Sequence, residues 1–274
     1  MYRVSEQQDR FVSYLLEDGE NSVRILSKRG GIPISFVCGG EELLYVNPET
    51  VEDLSREVRG GIPILFPACG RLKEGPYGAV KKHGFAREAL WECRGQSTAD
   101  SACVTLGISD TQETRKTFPH AFDLEHTYTL KGNTLTVRQT VTNTGDGPMP
   151  FSLGLHPYFK IDPTIATATV PSHTYEGLDG KGEFDGTFQF KNDYDSVCSN
   201  LFGSEAVMNT GLGRTVRIIA SGNYNYFVVW CPQDAEFACI EPWTAPPNAL
   251  NSGVDLITLK AGERAEFEMK IVVE

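Results

Sequence analysis

Between residues 121 and 143, apolar and polar side chains alternate almost without a break. Phe122, Leu124, His126, Tyr128 and Leu130 share one parity, and Asp123, Glu125, Thr127 and Thr129 share the other. Lys131-Gly132-Asn133 interrupts the pattern. Leu135, Val137, Gln139 and Val141 then resume it against Thr134, Thr136, Arg138 and Thr140. Successive strand side chains point to opposite faces, so this is a β-hairpin with one buried and one wet face. His126 falls on the buried face and reads as a packed histidine with one hydrogen bond.

The same period runs through the rest of the chain. Residues 11–48 read as short strands separated by Glu17-Asp18-Gly19-Glu20-Asn21, Gly30-Gly31 and Gly39-Gly40. Residues 216–230 hold further β-type sequence. A last strand places Ala265, Phe267, Met269 and Ile271 opposite Glu266, Glu268 and Lys270. Thr50-Val51-Glu52-Asp53 reads as a capping box opening a short helix through about Val58. Arg29-Gly30-Gly31-Ile32-Pro33-Ile34 recurs as Arg59-Gly60-Gly61-Ile62-Pro63-Ile64. The flanks do not follow, so these are two similar turns leading into strands; a solenoid needs longer and more numerous units. No linker-like or low-complexity stretch divides the chain. The expectation is all-β: one domain, residues 1–274, built as a large antiparallel β-sandwich with few short helices.

The formal net charge of -11 argues against a nucleic-acid partner, which requires a basic surface, but leaves room for a small anionic substrate held by local arginines. The seven cysteines are odd in number, diffusely spaced and without a C-x-x-C, which fits reduced thiols better than a disulfide framework or zinc site. The polar start MYRVSEQQDRF lacks the apolar stretch of a secretory signal, and no run is long enough to span a membrane. A soluble cytoplasmic protein is expected, as a monomer or weak dimer, with no membrane partner.

Four stretches carry chemistry. In Ser152-Leu153-Gly154-Leu155-His156-Pro157-Tyr158-Phe159, the proline breaks regular pairing and can turn His156 toward a cleft. Arg59-Gly60-Gly61-Ile62-Pro63 permits close backbone approach but matches no phosphate-binding loop, and Arg59 can equally be a surface charge. In Lys81-Lys82-His83-Gly84-Phe85-Ala86-Arg87, an extended backbone places His83, Phe85 and Arg87 on one face. Such a face suits a sugar or sugar phosphate, with the aromatic ring over C–H groups and the guanidinium on oxygens; a solvated basic strand is the alternative. Glu241 ends the apolar run Phe237-Ala238-Cys239-Ile240, where a carboxylate is costly unless paired or functional. The prolines after it stiffen a possible cleft wall, and a structural salt bridge is the other reading. Asp195 can add a hydrogen-bond acceptor. Two histidines, a glutamate and two arginines without a metal motif suit acid/base chemistry on a polyhydroxylated substrate.

Taken in order, Gly60-Gly61-Ile62-Pro63 with Phe66-Pro67, His83-Gly84-Phe85-Ala86-Arg87, Leu155-His156-Pro157-Tyr158-Phe159 and Glu241-Pro242-Trp243 resemble the aldose 1-epimerase (galactose mutarotase-like) family. Within it, the chain is more similar to the hexose-6-phosphate 1-epimerase branch. The resemblance implies a β-supersandwich and cofactor-free interconversion of sugar anomers. It implies His156 as the acid toward the ring oxygen, Glu241 as the base toward the anomeric hydroxyl, and His83 as a positioning histidine. Asp195 corresponds to an acidic residue that binds hydroxyls. Arg59 and Arg87 correspond to substrate-binding arginines of phosphate-type members. Unperturbed pKa values of about 6.5 and about 4.3 make a carboxylate base and, beside it, a charged imidazole the expected pairing. Ala68-Cys69-Gly70-Arg71 and the charges of Lys81-Lys82 depart from the phosphate-type pattern, although Arg71, Lys81 and Lys82 can attract an anion.

Two other readings remain at this level. A non-catalytic carbohydrate-binding sandwich needs the aromatics and arginines but not an acid/base pair. A glycoside hydrolase would pair Glu241 with Asp195 and leave the histidine without a central role.

Overall fold

The computed structural model describes residues 1–178 and 180–274. It is all-β. A meander of Tyr2–Gln8, Val12–Asp18, Asn21–Leu26, Ile32–Cys38 and Glu41–Glu42 forms one five-stranded sheet, each strand pairing with the next. A nine-stranded antiparallel sheet is centred on Arg264–Val273, Thr134–Asn143 and Phe122–Lys131. An eight-stranded sheet carries Tyr194–Ser199, Tyr226–Cys231 and Phe237–Trp243 at its middle and the two-residue strands Gly154–Leu155 and Ile64–Leu65 toward one edge.

The predicted hairpin forms over Phe122–Lys131 and Thr134–Asn143, with Leu124 opposite Val141 and Leu130 opposite Leu135. Its apolar parity is fully buried and its polar parity is not. His126 is buried at 2.8 Å from the Gln139 side-chain amide, the packed role its parity indicated. The short helix lies earlier than expected, at Pro48–Glu52, capped by Asn47, whose Oδ1 accepts from the Glu49 and Thr50 amides. Pro48 explains the shift, since its fixed φ suits the first helical position. The Thr50 hydroxyl instead donates to the Asn47 carbonyl and accepts from the Arg59 amide.

In the eight-stranded sheet, parity separates core from cavity. Cys198, Phe227, Val229 and Ile240 point into the main apolar core. Their neighbours Asp195, Val197, Val228, Trp230, Glu241 and Trp243 point to the opposite face, where they floor a cavity. Strand pairing sets them side by side: Glu241 opposite Val228, Val228 opposite Val197, and Trp230 opposite Asp195. All seven cysteines are free, and among the described residues no helix is long and apolar enough to cross a membrane.

Candidate active site

The cavity has a volume of about 470 Å³. His156 enters it from the turn between Gly154–Leu155 and Tyr158–Lys160. Its amide donates to the Pro63 carbonyl at 3.0 Å, and the Tyr158 amide donates to the Gly61 carbonyl at 2.9 Å. The second Arg-Gly-Gly-Ile-Pro-Ile copy is therefore the backbone rail on which the histidine sits. Its glycines are required there: a Cβ on Gly61 would lie 2.2 Å from the Pro33 carbonyl oxygen. The imidazole stacks on Tyr158, with centroids 4.7 Å apart.

Glu241 reaches His156 from the neighbouring strand, with Oε1 3.3 Å from Nε2. Trp243, two residues on and so on the same face, donates its indole N–H to Oε2 at 3.0 Å. Burial pushes the Glu241 carboxyl well above the ordinary carboxylate range, against the Trp243 hydrogen bond and the nearby Lys82 and Arg87 charges. Burial also pushes His156 well below the ordinary imidazole value, and the Arg87, Lys82 and Arg59 cations add to the effect. Both directions oppose the sequence-level pairing of carboxylate and imidazolium. Loss of water favours the neutral form of each group more than their mutual attraction favours the charged forms. The His156 Nδ1 atom is buried without a hydrogen-bond partner among the described residues.

His83 is held by a reciprocal backbone pair. Its amide donates to the Gly70 carbonyl at 2.9 Å, and the Gly70 amide donates to its Nδ1 at 3.2 Å. A ring that accepts at Nδ1 carries its neutral-form proton on Nε2, leaving that N–H as a donor. Burial, followed by the neighbouring His156 and Arg87, lowers the His83 pKa well below the ordinary imidazole value. The residue has φ 64°, an uncommon value for a side chain other than glycine or asparagine.

The backbone around His83 turns instead of running extended, and Ala86–Glu88 is a short 3₁₀ helix. The expected shared face of His83, Phe85 and Arg87 therefore does not form. His83 and Arg87 line the cavity. Phe85 turns away into an aromatic cluster, 6.0 Å from Phe66 and 5.8 Å from Phe122, and does not line the cavity. The placement of Phe85 as a sugar plate is corrected accordingly: apolar burial in the cluster outweighs the strand parity assumed for it.

Arg59, Asp195, Arg71 and Lys82 also line the cavity, and Arg59 lies over the Trp230 ring at 6.0 Å. Pro247, from the proline-rich loop after Glu241, forms part of the wall and packs against Gly70. Sequence reasoning missed Trp230, Trp243 and Glu57. Trp243 was accessible through its two-residue spacing from Glu241, and Trp230 through the parity of its strand. Nothing local marks Glu57, which pairs through space with Arg87 at 2.5 Å.

The sequence model of the family described as Aldose 1-epimerase matches residues 13–272. Among solved structures, the Slr1438 protein from Synechocystis sp. PCC 6803 is 33% identical, with a TM-score of 0.91 over 100% of this chain and 99% of that one. A galactose mutarotase-like protein from Clostridium acetobutylicum has the same fold at 19% identity, with a TM-score of 0.84 over 100% and 98% of the two chains. A relative from Cenchrus ciliaris, named "Putative glucose-6-phosphate 1-epimerase", is 27% identical over 253 residues, covering 82% of this chain and 73% of its own length.

Proposed function

The chain belongs to the aldose 1-epimerase family, and on that premise we propose that His156 and Glu241 are the acid and base with which this isomerase interconverts the α and β anomers of a hexose. The observation that carries the assignment is the 3.3 Å contact of two buried titratable groups on the floor of a polar cavity.

Burial displaces each group toward its neutral form, which favours placing the pair's acidic proton on Glu241. Passing that proton across the contact creates the imidazolium and carboxylate that the reaction needs. Glu241 takes the proton from the anomeric hydroxyl, and C1–O1 becomes a carbonyl. The C1–O5 electron pair leaves on O5, which the His156 proton caps. Half a turn about C1–C2 presents the other face of the aldehyde. Reclosure with the roles exchanged gives the second anomer and restores the proton. His83 donates to a substrate oxygen from Nε2, and Asp195 accepts from a hydroxyl.

The finer reading is a hexose 6-phosphate substrate, with Arg59 and Arg87 on the phosphate. Supporting it, Arg59, Arg71 and Lys82 line the cavity with no ion-pair partner among the described residues, in a chain of net charge -11. The name of the Cenchrus ciliaris relative points the same way. We take residues 1–274 as one domain, supported by a core cluster running from Tyr14 to Val273.

The test is anomer exchange followed by NMR on free and phosphorylated hexoses. Glu241→Gln and His156→Gln are each expected to lower kcat by about 10²–10⁴-fold with unchanged circular dichroism. Wild-type rates in either variant would remove that residue from the chemistry.

A further inference from the structure

Arg87 is 6% exposed, and its Nη2 is already occupied. It donates to Glu57 Oε1 at 2.5 Å and to the Lys82 carbonyl at 3.3 Å. Its buried Nε–H has no partner among the described residues. Glu57 lines the same cavity and is about one-third exposed. Glu57 and Arg59 leave one short segment two residues apart, while Arg87 comes from a separate one. The cationic wall of the site therefore contains a carboxylate of the protein's own, set on the most buried of its four cations.

We propose that Glu57 is a specificity-determining residue that acts as an internal counter-anion, setting how strongly the site prefers a phosphorylated hexose to a free one. The preference itself rests on the sugar-phosphate reading above, but the charge role of Glu57 does not. A phosphate reaching Arg87 must share the guanidinium with Glu57 or displace it, and the two anions repel each other in a partly desolvated site. A free hydroxymethyl group meets no such penalty. It finds an acceptor in Glu57 beside a donor in Arg87, the complementary pair that a neutral hydroxyl can use. The Glu57–Arg87 pair thus narrows the gap between the two substrates that four unopposed cations would open. Among the described residues, Asp195 and Glu241 are the other acidic groups lining the cavity, and neither is ion-paired to Arg87.

Two measurements on full-length protein test this. Inorganic phosphate titrated by calorimetry is expected to bind Glu57→Gln about tenfold more tightly than wild type, because glutamine keeps an acceptor for Arg87 and removes the charge. The ratio of kcat/KM for hexose 6-phosphate to that for the free hexose is expected to rise by a similar factor. Glu57→Asp, which keeps the carboxylate, is expected to stay near the wild-type ratio. A purely structural role for Glu57 would lower both kcat/KM values together and leave the ratio alone. An unchanged or weakened phosphate affinity in Glu57→Gln overturns the proposal, as does an unchanged ratio. If Glu57→Gln does not fold, Glu57→Ala takes its place: tighter phosphate binding than wild type supports the proposal, and equal affinity overturns it. The calorimetric arm needs no turnover, so a protein that fails to exchange anomers yet binds phosphate more tightly without Glu57 would refute the mutarotase assignment and keep the counter-anion role of Glu57.

Discussion

The two Arg-Gly-Gly-Ile-Pro-Ile copies have the same sequence and a similar left-handed glycine backbone, with φ of 85° and 64° in the first and 133° and 69° in the second. Their arginines do different things. Arg29 is buried and donates to four carbonyls, those of Thr50, Val51, Asp53 and Arg56, at 2.7–3.3 Å. It ties down the end of the short helix and the segment after it that leads to Glu57 and Arg59. Arg59 is exposed on the cavity wall over Trp230. The copies also touch: the Ile62 amide donates to the Pro33 carbonyl at 2.9 Å. A Cβ on Gly30 would lie 2.1 Å from the Arg87 carbonyl oxygen, so the first copy also underlies a cavity arginine. Identical local sequence specified a similar chain path, and the surroundings assigned one arginine to architecture and its twin to the site.

The comparison can be broken most forcefully at its glycines. Gly30→Ala and Gly61→Ala each place a Cβ against backbone at positive φ, and each is expected to destabilise the fold by about 3 kcal/mol or more in urea unfolding. If only one does so, the two turns are not equivalent supports. Arg29→Ala removes a buried donor from four carbonyls and is expected to lower stability by about 3 kcal/mol. The ratio of phosphorylated to free hexose turnover should change far less than in Arg59→Ala. Arg59→Ala should do the opposite. A loss of about tenfold or more in kcat/KM for the phosphorylated sugar is expected, with a change in unfolding free energy within about 0.5 kcal/mol. Equal stability losses in the two arginine variants would erase the distinction.

The smallest expected effect is on pH dependence. The proposed mechanism requires one proton on the His156–Glu241 pair, so kcat/KM should be bell-shaped. It falls on the acid side as His156 gains a second proton, and on the alkaline side as Glu241 loses the only one. Arg59 is among the cations that hold His156 low. Removing it should raise the histidine's pKa, so that the doubly protonated pair forms, and activity falls, at a higher pH than in wild type. Arg29→Ala should leave the acid limb in place. An acid limb that moves downward in Arg59→Ala would contradict the electrostatic account of the site.

Much of the site was legible because strand parity and short motifs are local. His156, His83, Glu241, Arg59, Arg87 and Asp195 all reach one cavity, and the stiff proline loop forms part of its wall through Pro247. Phe85 was misread because the parity argument presumed an extended backbone. The Lys81–Glu88 segment instead turns to strap onto Phe66, through hydrogen bonds from the Phe85 and Ala86 amides to the Phe66 carbonyl. Glu57 was illegible because its partner lies thirty residues away in sequence and meets it only in the folded chain.

The sequence by itself determined the alternation that makes the sheets, the hairpin turn at Gly132-Asn133, the paired glycines of both Arg-Gly-Gly turns and the residue types available for proton transfer. These follow from steric and hydropathic preferences that act over a few residues. Only the tertiary structure decided which arginine faces the sugar cavity, where Phe85 goes, and that His156 and Glu241 are both driven toward neutrality. Burial and electrostatic neighbourhood are sums over residues distant in sequence, and desolvation takes its value only when the surrounding strands have closed over the group.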